Sequence, residues 1–378
     1  MATLRLPLIL NGNPIASPHV GQGTYTIRLI RALRPRLNDR LLVILSTGVA
    51  VPDEIAPEDI LWVPSGISLG HELMQHIVAN NRLLRFVRKK FPQALFHSPG
   101  PIAGGPMPGR TIVTIHDCIY RSFENYLGRF FIRRLYLRAT ELFARHVSLV
   151  LTDSNFSKAE LITKLRISAS RIEVLYPWVG NECLEEISTD EIARVRSRYN
   201  LPARFWLYLG GYDYRKNVEF LIAAYSRLTA QKNVPPLVLA GKIPSYTRVT
   251  CDVQGSLKKN RVRSDQIQMP GMVSTADLPA LYRAASLMIY PSLMEGFGLP
   301  PAEAMAVGTP VLASNTSSLP EVVRNATSRF DPVILDSLVE KLSAAANDET
   351  QFRSNLPQEF TESYGVSRYL ELIDRVQR

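Results

Sequence analysis

Two carboxylates, Glu295 and Glu303, bracket a segment rich in glycine and proline that reads Glu-Gly-Phe-Gly-Leu-Pro-Pro-Ala-Glu. A strand-like run ends at Tyr290, Gly296 and Gly298 give a loop, and Pro301 suits the first turn of a short helix that Gly308 ends before Pro310 opens another strand. Glycines between a strand and a helix let backbone N–H groups approach an anion, and the helix N-terminus adds a favourable field. That arrangement suits a phosphate. Carboxylates repel phosphate but accept hydrogen bonds from neutral hydroxyls, which fits one glutamate to a sugar and the other to a ribose. A first-turn glutamate stabilising its helix (Glu303) and a solvated loop residue (Glu295) account for the same pattern.

A second cluster, Leu209-Gly-Gly-Tyr-Asp-Tyr-Arg-Lys-Asn, again runs from strand through glycine loop, with Gly211, to helix. Arg215 and Lys216 stand at the helix end that disfavours cations, with Asn217 as an expected N-cap. A diphosphate there would reverse the balance and be clamped by both, whereas a solvated Arg-Lys pair is the alternative. In the first half, Gly21-Gln-Gly-Thr-Tyr lacks the three-glycine dinucleotide fingerprint. It reads either as a loop that brings backbone close to substrate or as an ordinary turn. His116 and Asp117 follow a strand, where histidine suits orienting a hydroxyl, proton transfer or a structural role. Ser154 is placed both to cap a helix and to face a ligand. The six histidines show no HxH or HExxH spacing, the three cysteines no CxxC, and the chain no GxSxG elbow, so no metal site, disulfide framework or serine hydrolase is expected.

These residues need strands that deliver them to one edge, and the pattern supplies two sets. Strand-like runs at 6–10, 41–45, 94–97, 111–115, 149–152 and 171–175 alternate with helical periodicity at 24–37, 70–91, 130–144 and 157–165. The alternation restarts with strands at 205–209, 236–240, 267–269, 287–290 and 310–313 and helices at 217–231, 275–283, 301–306, 318–323 and 337–347. The expected fold is α/β, two Rossmann-like doubly wound domains facing across a cleft, with the linker at 176–186. The domains run over 1–178 and 179–363, and a terminal helix at 364–378 either crosses back to the first domain or completes the second.

The 378 residues carry a net charge of +10, all of it in residues 1–178. It is dense at Arg82, Arg85, Arg88, Lys89 and Lys90 and at Arg129, Arg133, Arg134, Arg138 and Arg145, at helical spacing among apolar residues. Such stripes face anionic lipid, a phosphorylated substrate or water; nucleic acid is not expected, since no zinc-finger, RNP-like or GxxG signature accompanies them. No uncharged stretch is apolar enough to span a membrane, and MATLRLPLIL reads as a first strand rather than a signal peptide.

The EGFGLPPAEAM and GGYDYRKN segments together resemble the retaining glycosyltransferases of family 4, which have the GT-B fold. The resemblance implies that Glu295 contacts the donor hexose and Glu303 the ribose of a nucleotide diphosphate sugar. Backbone through Gly296, Phe297, Gly298 and Leu299 would meet sugar and distal phosphate, and Gly211, Arg215 and Lys216 the diphosphate. His116 would lie beside the transferred sugar, Gly23 near donor phosphate and acceptor, Ser154 at the ligand, and backbone at Met272 against the base. Catalysis would then rest on His116, Arg215, Lys216 and Glu295, with no metal and no cofactor. The favoured donor by resemblance is GDP-mannose, and the acceptor a glycan or polyprenyl-diphosphate-linked glycan. The protein would be cytoplasmic, peripheral at an anionic membrane surface, the cytoplasmic face of the inner membrane. Where many relatives have Asn-Gly-Val after the last strand of the first domain, this chain reads Tyr176-Pro-Trp-Val-Gly-Asn, so Trp178 is given no ligand role. The competing expectation is a non-catalytic sugar-nucleotide or glycan-binding protein on the same fold.

Overall fold

The computed structural model describes residues 6–16, 21–46, 51, 55, 60–63, 72–103, 107–123, 131–242 and 250–378, without the side chains of 72–76 and 131–133. His19, His71, Arg129 and the side chain of Arg133 lie outside the described residues. The chain divides into two compact units, Met1–Pro177 with Glu362–Arg378, and Trp178–Thr361.

The first unit is built on a parallel sheet of β1 (Leu8–Asn11), β2 (Leu41–Ser46), β3 (Ile60–Val63), β4 (Leu95–Ser98), β5 (Arg110–Thr114), β6 (Leu149–Thr152) and β7 (Ile172–Val174), in the order 3-2-1-4-5-6-7. Its helices are α1 (Gly21–Leu37), α2 (Glu72–Lys90), α3 (Ile119–Ser122), α4 (Phe131–Ala144) and α5 (Asn155–Leu165). Strands β1, β4 and β6 are buried at every position, which is why their apolar residues stand consecutively rather than in alternation, with polar Asn11, His97, Ser98 and Thr152 toward the carboxyl ends. Ile9 pairs with Leu42 on one side and Phe96 on the other, so the order reverses between β1 and β4. Ligands of such sheets collect outside the strand carboxyl ends at that reversal. Edge strand β3, with Trp62 40% exposed, falls outside the sequence expectation. Helix α1 opens at Gly21, so Gly23 belongs to its first turn and not to a preceding loop.

In the second unit α6 (Thr189–Arg198) precedes a parallel sheet of β8 (Trp206–Leu209), β9 (Leu237–Ala240), β10 (Ile267–Gly271), β11 (Leu287–Tyr290), β12 (Val311–Ser314) and β13 (Arg329–Phe330). The order is 10-9-8-11-12-13, with the reversal between β8 and β11. The interleaved helices are α7 (Val218–Thr229), α8 (Val253–Lys259), α9 (Leu278–Ala284), α10 (Leu299–Ala306), α11 (Leu319–Val322) and α12 (Leu335–Asn347). Trp206, Tyr225, Leu239, Leu312 and Leu342 join one core, in which the Trp206 and Tyr225 rings meet edge to face at 6.2 Å. Burial of this apolar surface, aliphatic and aromatic together, is the dominant favourable term in folding.

The last helix, α13 (Glu362–Gln377), belongs to the first unit. Gln377 bonds both backbone polar groups of Leu6, at 3.3 and 3.1 Å, capping the start of the chain entering β1. The Tyr369 hydroxyl lies 2.8 Å from His97 Nδ1 on β4, and Arg368 and Arg375 reach Glu173 on β7 at 3.3 and 2.6 Å. Burial pushes the His97 imidazole down to about 3, so it is neutral and acts as a hydrogen-bonding strut between β4, β5 and α13. Among the described residues no helix is long and apolar enough to cross a membrane.

Candidate active site

Strands β8 and β11 are neighbours at the reversal of the second sheet, and the loops leaving their carboxyl ends carry the two clusters that the sequence singled out. After β8 the chain passes Gly210 and Gly211, makes a 3-10 turn over Tyr214–Lys216, and enters α7 at Val218. Asn217 occupies the N-cap position in the left-handed conformation (φ 58°). Its side chain makes no cap; Nδ2 donates instead to the Pro332 carbonyl at 2.9 Å, so the expected capping role gives way to tying this turn to the loop after β13. The two loops are stitched by Leu293 N–H donating to the Arg215 carbonyl at 2.7 Å.

That stitch brings the charges together. Lys216 Nζ donates to Glu295 Oε1 at 2.6 Å and to the Tyr290 hydroxyl at 2.7 Å. Arg215 Nη1 donates to Glu295 Oε2 at 2.8 Å and to the Met294 carbonyl at 3.1 Å, while its Nε lies 3.0 Å from Asp213 Oδ1. Glu295 is 7% exposed and Lys216 8%, which removes both solvated readings, of the glutamate and of the Arg-Lys pair. Burial pushes the Glu295 carboxyl up, but the adjoining Lys216 and Arg215 charges outweigh it and hold it at about 2. Burial likewise moves Lys216 below the ordinary lysine range, against the pull of Glu295.

The loop that aims Glu295 is held by side chains from the start of α11. Ser317 Oγ accepts from Glu295 N–H at 3.1 Å, and Ser318 Oγ donates to the Glu295 and Phe297 carbonyls at 3.0 and 2.7 Å. Phe297 packs edge to face on Phe360 at 4.9 Å. Gly298 sits at φ +113°, where a Cβ would fall 2.7 Å from Leu319 Cδ2, so glycine is required both by conformation and by space. Helix α10 starts at Leu299, earlier than the expected 301, because the Pro300 and Pro301 pair fits its first turn. Glu303 therefore stands beyond that turn and cannot be a first-turn helix stabiliser. It is 5% exposed, and its Oε2 accepts from the buried Tyr282 hydroxyl at 2.9 Å. Met272, 60% exposed, follows β10 at the same sheet edge, two strands from β8.

In the first unit, His116 follows β5 and Asp153 follows its neighbour β6. His116 Nδ1 lies 2.8 Å from Asp153 Oδ2, and Nε2 lies 3.0 Å from the Pro99 carbonyl. Both partners only accept, so the ring is best satisfied with both nitrogens protonated. Burial opposes that charge, but Asp153 and Pro99 prevail and His116 is raised above the ordinary histidine value. Tyr25 of α1 meets the ring edge to face at 4.9 Å. Ser154 is fully buried, and its Oγ accepts from Ser157 N–H at 3.0 Å as the N-cap of α5. Gly23 is buried on α1 beside this group in sequence, two residues before Tyr25. Sequence reasoning did not foresee Asp213, Tyr290 and Tyr282 as partners of the cluster, nor the pairing of Asp153 with His116. Among the described residues no group of three or more His, Cys, Asp or Glu side chains is arranged to hold a metal.

Two doubly wound units, one with a buried Arg-Lys-Glu cluster and a glycine loop at its sheet reversal, define a protein of the GT-B class. The family models agree along the chain: "Glycosyltransferase Family 4" matches residues 20–181 and "Glycosyl transferases group 1" residues 190–363. The O-antigen chain mannosyltransferase B of Escherichia coli is 30% identical over 357 residues, 91% of this chain and 92% of its own. The chain belongs to glycosyltransferase family 4. The serotype-specific mannosyltransferase WbdA of Escherichia coli is 34% identical over 251 residues, 65% of this chain, and the match spans only 30% of WbdA's own length. In structure, the sucrose-phosphate synthase of Thermosynechococcus elongatus superposes with a TM-score of 0.71 at 21% identity, over 98% of this chain and 97% of that one, a likeness of fold.

Proposed function

We propose that the protein transfers a hexosyl unit, mannose by preference, from a nucleotide diphosphate sugar to a hydroxyl of a glycan or polyprenyl-diphosphate-linked glycan, with retention at the anomeric carbon. The observation that carries this reading is the convergence of Arg215, Lys216 and Glu295 at the carboxyl ends of β8 and β11, beside the glycine loop that leads into α10. The mannosyltransferase names of the relatives, and the resemblance, favour GDP-mannose as donor. Arg215 and Lys216 stabilise the charge that grows on the departing diphosphate, the larger part of such catalysis. Glu295 accepts from the hexose and Glu303 from the ribose. Backbone of Gly211 and of Gly296, Phe297, Gly298 and Leu299 meets phosphate and sugar, and backbone at Met272 meets the base.

In the transfer the bond from the anomeric carbon to the phosphate oxygen breaks, the acceptor oxygen bonds to the same face, and the acceptor proton passes to the departing phosphate oxygen. No protein nucleophile is required. His116, with both nitrogens engaged by acceptors, acts on the transferred sugar through the field of a fixed cation rather than as a base. Gly23 and Ser154 are assigned to its surroundings on the first unit.

The first unit is proposed to rest on an anionic membrane surface at the cytoplasmic face. Arg85, Arg88, Lys89 and Lys90 of α2 are exposed, and α4, joined to α2 by an Asn80–Tyr136 hydrogen bond of 3.0 Å, exposes Arg134 and Arg138. Leu135 and Leu142 on α4 are 58% and 54% exposed among these cations, a composition suited to a headgroup layer.

A non-catalytic sugar-nucleotide-binding protein on this fold would hold the diphosphate with the same cation pair but would release no nucleoside diphosphate. Nucleoside diphosphate release from purified protein, screened over GDP-mannose, UDP-glucose and UDP-N-acetylglucosamine with and without glycan acceptors, tests the reading. Release from GDP-mannose is expected, and silence with every donor would overturn it.

A further inference from the structure

The cluster around Glu295 carries more than a clamp. Its charges balance: Arg215 and Lys216 on one side, Glu295 and Asp213 on the other, all largely removed from water. Glu295 spends one oxygen on each cation, so the groups assigned to hold a diphosphate are already paired to a carboxylate. A diphosphate brought to the same two cations would stand in the like-charge neighbourhood of that carboxylate, where a partly buried site screens repulsion weakly. The resulting repulsion exceeds the worth of one hydrogen bond, so phosphate and Glu295 cannot both keep the pair.

We infer that Glu295 is an internal competitor of the donor diphosphate, a carboxylate that leaves Arg215 and Lys216 when the phosphates arrive and then turns to a hydroxyl of the attached sugar. The inference rests on the donor-site reading above and adds a consequence to it. Nucleoside diphosphate without sugar displaces Glu295 and leaves a buried carboxylate with the Ser292 hydroxyl as its remaining neighbour, whereas the intact nucleotide sugar adds a further donor. The site therefore prefers donor over its own product, and the preference resides in Glu295, acting on the cations as a positioning residue. The neighbouring hydroxyls offset only part of this cost, because Ser317 accepts from and Ser318 donates to the backbone of the same loop, and Ser292 supplies one neutral bond where two charge-assisted ones are lost.

The test compares inorganic pyrophosphate, GDP and GDP-mannose by calorimetry on wild type, Glu295→Gln and Lys216→Ala, with UDP and UDP-glucose run beside them. Glu295→Gln should bind pyrophosphate and the nucleoside diphosphate about tenfold more tightly, because one negative charge near the phosphates is gone. Its affinity for the sugar nucleotide should not rise, so the donor-to-product preference collapses; simple structural damage would weaken all three ligands together. Because the variant leaves Lys216 without its counter-ion and Arg215 with Asp213 alone, a crystal structure of wild type with pyrophosphate gives an independent check. The Glu295 to Lys216 separation should open from 2.6 Å to beyond hydrogen-bonding reach. Unchanged or weaker diphosphate binding by Glu295→Gln, or a carboxylate still on both cations beside bound pyrophosphate, would overturn the inference while leaving the donor site intact, provided Lys216→Ala abolishes binding. Wild type and Lys216→Ala indifferent to all of these ligands would overturn the donor-site reading and this inference with it.

Discussion

The Lys216 ammonium and the Glu295 carboxylate, 79 residues apart in sequence, meet at 2.6 Å in a buried contact between the loops that leave two adjacent parallel strands. The sheet order creates that meeting. β8 and β11 are neighbours only because the chain lays β9 and β10 to one side before returning, so each loop emerges beside the other at the strand carboxyl ends. The same relationship gives the contact a structural role, since it holds the Glu295 loop against the turn before α7.

The Glu295 pairing should show as acid lability. A carboxyl held at about 2 against an ordinary 4.5 binds protons less readily in the folded than in the unfolded chain. Its stabilisation is therefore complete above pH 4.5 and is lost as pH falls through 4.5 toward 2, on the order of 3 kcal/mol in all. Denaturant unfolding of wild type and Glu295→Gln across this window should show the wild-type advantage shrinking with acid; a constant difference would mean that the carboxyl is not held low.

Glu303→Gln should keep the fold and lose donor affinity. The amide oxygen can still accept from Tyr282, but a charge-assisted bond to a ribose becomes a neutral one, a loss of about 1 kcal/mol or roughly fivefold in Kd. Calorimetry with the nucleotide sugar, alongside a melting curve, separates the two effects. Equal affinity would confine Glu303 to its partnership with Tyr282.

Gly298→Ala should damage the loop that aims Glu295. The added methyl meets Leu319 Cδ2 at 2.7 Å, and the backbone there has positive φ, a combined penalty of about 1–3 kcal/mol. Thermal unfolding should register a fall of several degrees together with a drop in turnover. A variant as stable and active as wild type would show that the loop relaxes freely.

Since His116 is raised by Asp153 and Pro99, its stabilising charge is fully present below the unfolded histidine value of 6.5 and is lost as pH rises through the higher folded value. Proton NMR should find the His116 ring titrating above 6.5 and Asp153→Asn moving it down. A ring titrating below 6.5 in wild type would contradict the doubly donating imidazolium.

The fold was legible because fully buried parallel strands leave consecutive apolar residues, and both sets of these stand out in sequence. What escaped had no such mark. The strand Arg329–Phe330 is two residues long, and Ile60–Val63 is a half-exposed edge. Helix α6 is mostly polar, yet Ser188 and Glu191 form a complete capping box, a sequence signal that was there to be read. At the site, the residue types pointed to phosphate and hydroxyl chemistry, but their mutual contacts depend on strand order, which a single sequence does not contain. Glu295 thus read as a solvated or sugar-facing carboxylate, and its hold on Arg215 and Lys216 emerged only with the sheet.

The anomeric proton, followed by NMR while the purified protein turns over α-configured GDP-mannose with a glycan acceptor, reports donor and stereochemistry in one measurement. Transfer on one face, with Arg215 and Lys216 stabilising the departing diphosphate, gives an α-mannoside as the first product. A β-mannoside, or no transfer from GDP-mannose or any other nucleotide diphosphate sugar, would contradict it.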